Sequence, residues 1–172
     1  DSISLSAEND AFLGTTSILG DLLIIGATAG YSVLDAGGEI VVESFGGSIV
    51  ADPFGSASAG AQIEIIAAGD ADVGSLSAGD SVNVDAGDNA LFGFVDAGSS
   101  VFVNSGGAVS GEDISAGSDV IIDGGIVDLG NIDTPSSVAI TGTSIAVDEV
   151  TATDIGLDSG SDILFNLLNS TN

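Results

Sequence analysis

The 172-residue chain contains no lysine, arginine or histidine, and no cysteine, methionine or tryptophan. It has one tyrosine, Tyr31, and two prolines, Pro53 and Pro135. Each absence removes a class of function. Without cationic side chains nothing neutralises phosphates, so nucleic-acid binding is not expected, and anionic membrane surfaces would repel the chain. Ser-His, Cys-His and Ser-Lys nucleophile pairs cannot form, nor can a Schiff-base or P-loop lysine. Zinc sites of the His/Cys kind are excluded. Stability must come without disulfides. No apolar run reaches the roughly 18 residues of a bilayer span. The chain opens on Asp1 rather than Met, as expected of a processed chain or a fragment.

What is present is acidic and apolar at once. The 26 Asp and Glu give a formal net charge of -26, yet 44% of residues are hydrophobic. That is not the low-hydrophobicity composition of a disordered chain. The apolar residues are mostly Ala, Val and Ile, and with 26 Gly they favour strands and tight turns over helices. Acidity with no basic residue suits an extracellular or cell-surface setting rich in salt or calcium.

The dominant signal is an internal repeat. Ala-Gly recurs at Ala36-Gly37, Ala59-Gly60, Ala78-Gly79, Ala97-Gly98 and Ala116-Gly117, the last three steps being 19 residues each. The longer first step reads as an insertion holding Asp52-Pro53-Phe54-Gly55, a surface loop. Further units start near Asp1, Leu19, Thr134 and Thr151, giving about nine in all. Aligned so, the fifth position holds Ile40, Ile63, Val82, Val101, Val120, Val138 and Ile155. The seventh holds Val42, Ile65, Val84, Val103, Ile122, Ile140 and Leu157.

Alternation within a unit, as in Val82-Asn83-Val84, is the period of a strand. Such short strands cannot each bury a face alone. Stacked coils solve this, each strand pairing in parallel with its counterpart about 4.8 Å away. The expected fold is all-β, a single parallel β-solenoid domain over 1–172. It has about nine coils of 18–19 residues, clear repeats over 36–133 and less regular end coils over 1–35 and 134–172. The first-position alanines should point inward. An antiparallel β-sandwich also offers short alternating strands, but not one residue type at a fixed spacing of 19.

Two stretches carry a resemblance. "ISAGSDVIIDGG", from Ile114 to Gly125, and "AGDSVNVDAGD", from Ala78 to Asp88, resemble repeats of filamentous-haemagglutinin-type adhesins. The resemblance implies a right-handed parallel β-helix, secretion, and a role in adhesion or surface structure. Those adhesins carry Lys and Arg, which this chain lacks.

Candidate sites follow from the columns. Asp85 and Asp123 share the eighth position, in register with Glu43 and Asn104, and Asp35 and Asp96 precede Ala-Gly. Like charges stacked at coil spacing would repel, and calcium would bridge them. The local candidates are Asp70 with Asp72 and Asp85 with Asp88; the other reading is a solvated acidic face. Neither an EF-hand nor a GGxGxDxUx nonapeptide is present. A glycosidase needs only two carboxylates, but no aromatic platform stands out. An ice-binding ladder would need aligned threonines, and these are scattered. Asn169-Ser170-Thr171 matches a glycosylation sequon.

The ends are the stronger lead. The candidate axial-assembly residues are Ile3, Leu5, Phe12 and Leu13 at one end and Ile163, Leu164, Phe165, Leu167 and Leu168 at the other. They read either as caps on their own core or as the contact of end-to-end stacking. The sequence points to a structural protein, the subunit of an extracellular filament, sheath or surface fibre, with itself as partner. The alternative is an adhesin stalk binding carbohydrate or a cell surface. No catalytic residue and no cofactor is expected, calcium apart.

Overall fold

The computed structural model describes residues 2–171, apart from the side chain of Phe54. Asp1 lies outside the described residues. Among the described residues all regular structure is strand, and every strand pairing is parallel. The first coil holds β1 (Ile3–Ser6) and β2 (Asp10–Ile18); the second holds β3 (Leu22–Gly26) and β4 (Thr28–Ala36); the third holds β5 (Ile40–Ser44) and β6 (Ile49–Ala59). The next three coils have three strands each. These are β7 (Ile63–Ala67), β8 (Ala71–Asp72) and β9 (Ser75–Ala78), then β10 (Val82–Ala86), β11 (Ala90–Phe92) and β12 (Val95–Ala97), then β13 (Val101–Ser105), β14 (Val109–Gly111) and β15 (Ile114–Ala116). The last three return to two: β16 (Val120–Asp123) and β17 (Ile126–Asp133), β18 (Ser137–Gly142) and β19 (Ser144–Ala152), β20 (Asp154–Ser159) and β21 (Ile163–Ser170). The chain is a β-solenoid of nine coils, about 40 Å long at the usual strand spacing.

One wall is a nine-stranded sheet, one strand from each coil. The fifth-position column runs unbroken through it as Ile3, Leu22, Ile40, Ile63, Val82, Val101, Val120, Val138 and Ile155. The seventh-position column runs beside it from Leu5 to Leu157. Both point inward, and from Leu22 to Ile140 their members are buried. The opposite wall supplies the other half of the core, including the column Ala11, Ala29, Ile49, Ala71, Ala90, Val109, Val127, Ile145 and Ile163. The expected inward alanines, Ala36, Ala59, Ala78, Ala97 and Ala116, are all buried.

Steric crowding explains the glycine that follows each of them. A Cβ on Gly98 would collide with the carbonyl oxygen of Gly79, and one on Gly79 would collide with that of Gly60. The corner carbonyls stack coil on coil, and only glycine fits beneath them. At the break between β8 and β9, Gly74 adopts φ 63°. Tyr31 reaches this break from two coils below. Its ring is fully buried, and its hydroxyl donates to the Val73 carbonyl at 2.6 Å.

The long repeat is not one projecting loop. The offset between coils two and three is 18 residues at Gly26/Ser44, 20 at Ala29/Ile49 and 23 at Val33/Ser56. The extra residues divide between the corner at 45–48 and a bulge inside β6 that contains Pro53. The side chain of Phe54 lies outside the described residues.

Candidate functional site: the two ends of the stack

A chain with no cations must satisfy its carboxylates otherwise, and coil stacking supplies the means. Asparagine and hydroxyl side chains sit one coil away from aspartates and donate to them. Asn104 Nδ2 donates to Asp85 at 2.8 Å, Asn131 Nδ2 to Asp113 at 3.0 Å and Asn166 Nδ2 to Asp148 at 3.0 Å. Thr28 donates to Asp10 at 2.6 Å and Ser17 to Asp35 at 3.0 Å. Asp119 accepts from the hydroxyls of Ser136 at 2.6 Å and Ser137 at 2.7 Å. Those bonds hold its carboxyl below the usual carboxylate range. Hydrogen bonds to an ionised acceptor are stronger than neutral ones. They serve here where other proteins use ion pairs.

The same register corrects the expectation of stacked like charges. The eighth-position column reads Ser6, Ile25, Glu43, Ile66, Asp85, Asn104, Asp123, Thr141 and Asp158. A carboxylate stands on every second coil from the third onward, always with a neutral residue between. Asp35 and Asp96 are likewise separated by Ser58 and Ser77. Two coil steps put neighbouring carboxylates roughly 10 Å apart, near one Debye length in physiological salt, so repulsion is largely screened.

The four calcium candidates are not gathered into one multidentate site. Among the described residues, no group of three or more Asp or Glu is placed to hold a metal ion. Asp70 and Asp72 flank the buried Ala71 on the outer wall. Asp70 Oδ1 already accepts from the backbone N–H of Asn89 at 3.1 Å and its Nδ2 at 2.9 Å. Asn89 Oδ1 in turn accepts from the N–H of Ala108 at 2.9 Å, continuing a corner ladder. Asp85 is held by Asn104, and Asp88 is exposed at a turn.

At the ends the inward columns lose the cover of a next coil, and apart from Ala11 their terminal members are exposed or only partly covered. Among the described residues, β1 and β2 have a hydrogen-bonded neighbour on one side only, and so do β20 and β21. Ile155, Leu157, Ile163, Phe165 and Leu168 continue the core columns and line an open hollow of about 520 Å³. At the other end Ile3, Leu5 and Leu13 occupy the matching inward positions, with Ile3 exposed and the other two partly covered.

Nine residues were expected to form the axial contact, and three of them point outward from the wall rather than into the core. Phe12 projects from the side of the second wall, its ring lying over Gly30. Leu164 and Leu167 also point outward, paired with Ala146 and Glu149. Alternation puts 163 and 165 inward and Leu164 outward, and a three-residue step from 165 to the inward 168 leaves Leu167 outward. Ile155 and Leu157 belong to the end surface as well and were not among the nine. The signal is present in the sequence, because they are the last members of columns legible as repeats.

No family model, no curated protein and no solved structure matches this chain. What is shown is a β-solenoid architecture of about nine coils, with no family identified.

Proposed function

We propose that this chain is a structural, self-assembling extracellular protein, an acidic solenoid that stacks end to end into a filament, sheath or surface fibre. One observation carries the reading: among the described residues the strands at both ends are paired on one side only, bordering an open apolar hollow at the β20/β21 end and the exposed Ile3 with the partly covered Leu5 and Leu13 at the β1/β2 end. Such an edge is a template for a further strand. A repeat stack that leaves its terminal faces apolar has its next neighbour as the natural cover. The side walls carry the formal charge of -26 and keep rods apart, while axial growth covers apolar surface. Divalent cations such as calcium would act between rods, lowering repulsion and allowing bundles. The lack of any cationic side chain fits an extracellular or cell-surface location and leaves catalysis without a Ser-His, Cys-His or Ser-Lys pair.

Electron microscopy and sedimentation of the purified chain test this, with calcium and with chelator. Fibres one solenoid wide are expected; a monodisperse monomer in both conditions would sink the proposal. Removing residues 163–172 should stop fibre growth, and unchanged fibres would refute that edge as the axial contact.

A second reading, a stalk that binds carbohydrate, is favoured at one place. Phe94 is exposed beside Asp113, Asn131 and Asp133 around a hollow of about 310 Å³. An aromatic face next to hydrogen-bonding groups is what a sugar ring needs. Phe94→Ala should then abolish retention on a glycan array, and no retention of the parent chain would dismiss this reading.

A further inference from the structure

We infer that the axial contact is head-to-tail and in register, with Ile155 of one copy beside Ile3 of the next, Leu157 beside Leu5, Phe165 beside Leu13 and Leu164 beside Phe12. The partner is a second copy of this chain, so the inference rests on the filament reading above and adds the polarity and residue pairing of the joint.

Polarity comes first. Continuing a sheet in which every pairing is parallel requires the last coil of one copy to meet the first coil of the next. Equal corner lengths then allow both walls to join in one register. From Ile155 to Ile163, the inward positions that flank the corner of the last coil, is eight residues; from Ile3 to Ala11, their counterparts in the first coil, is also eight. The adjacent coils differ, with seven from Leu22 to Ala29 and seven from Val138 to Ile145. When β20 lies against β1, β21 therefore falls against β2 without slip. The spacing persists along the second wall, where residues 163, 165, 168 and 170 are matched by 11, 13, 16 and 18. A slip of one residue would turn every inward side chain outward.

The outer wall gives an independent mark. Leu164 and Phe12 are 69% and 60% exposed, among the most exposed large apolar side chains of the chain. They stand at opposite ends of a single outward column that runs Phe12, Gly30, Val50, Asp72, Leu91, Ser110, Asp128, Ala146, Leu164. In the joint they become neighbours and cover each other. The eighth-position pattern also passes through, since Asp158 meets the neutral Ser6. One column opposes the joint. Asp162 lands beside Asp10, a like-charge pair exposed to solvent, so assembly should quicken as salt is raised.

Cysteine cross-linking tests the register directly, because the chain has no cysteine of its own. Adjacent in-register residues of paired strands lie about 4.8 Å apart, within the Cα separation that a disulfide bridges. Both side chains are on the outer wall, so Phe12→Cys with Leu164→Cys should fold and, once oxidised, give a covalent ladder of dimers, trimers and longer species. Thr15→Cys with Leu164→Cys should give none, and neither single variant should dimerise. A ladder from the Thr15 pair, or dimers from either single variant, would overturn the register or the polarity while leaving the filament standing. Particles no larger than a monomer for the unsubstituted chain, at low and high salt, would overturn both.

Discussion

The middle three coils and the terminal coils are built on one repeat and solve different problems. In the middle, the second wall is broken into short pairs such as β8/β9 and β11/β12, and inward side chains like Ile65 and Val84 are fully buried from both sides. At the ends the second wall runs as long single strands, β2 and β21, and homologous inward positions such as Leu157 are only partly covered. Identical residue types in one column therefore differ in what they contribute. Burial comes from the neighbouring coil, not from the side chain itself, so the terminal members remove less apolar surface from water.

That contrast breaks most visibly on truncation. Ile65→Ala should lower stability by about 3–5 kcal/mol in urea unfolding, the usual cost of a large buried aliphatic. Leu157→Ala should cost well under half of that in the monomer yet strongly slow fibre growth measured by light scattering. Equal losses in monomer stability would show that the ends are as closed as the middle. Next in size is the corner glycine: Gly98→Ala forces a Cβ against the Gly79 carbonyl and should cost about 1–3 kcal/mol. Gly156→Ala in the last coil, whose nearest atom is a carbonyl at 3.8 Å, should be nearly neutral.

Charge spacing gives a smaller effect. Asn104→Asp adds a carboxylate between Asp85 and Asp123, so that three consecutive coils carry one, and it removes the donor to Asp85. The expected loss is about 1–2 kcal/mol at low ionic strength, from Coulomb repulsion at coil spacing in water, and most of it should vanish in 1 M salt by screening to about 3 Å. The smallest effect is acid-dependent. Asp119 is held below its ordinary range by Ser136 and Ser137. Its contribution is therefore present above the unfolded carboxylate value and is lost as pH falls through the folded one. Asp119→Asn should remove that part of the pH dependence, read from urea midpoints between about pH 5 and pH 2.

Much of the fold was legible because stacking makes sequence repetition and spatial adjacency the same thing. The fifth- and seventh-position columns, read from spacing alone, are the observed inward pairs from Ile40 to Ile155 and from Val42 to Leu157. What stayed hidden depends on which way a side chain points once the repeat loosens. Phe12 and Leu164 read as end residues because they are apolar and terminal, yet strand alternation turns them outward. The carboxylates read as repelling stacks because acidic residues recur at equivalent positions of distant repeats, while the neutral residues between them decide the electrostatics. Donors such as Asn89, Asn104 and Asn131 carry no motif; only the 18- or 19-residue offset to an aspartate marks them.

Tyr31 has an optical consequence. It is the sole tyrosine, and the chain has no tryptophan, so near-ultraviolet absorbance and emission from this protein come almost wholly from one phenol. That phenol is locked inside coils two to four through its bond to Val73. Burial first, and then the charge of Asp72, push its ionisation well above the ordinary value. Above about pH 10 the unfolded chain sheds a proton that the folded one keeps, so stability falls there. An alkaline titration followed at the phenolate band thus reports the opening of one interior region and is blind to the terminal coils, which hold no tyrosine.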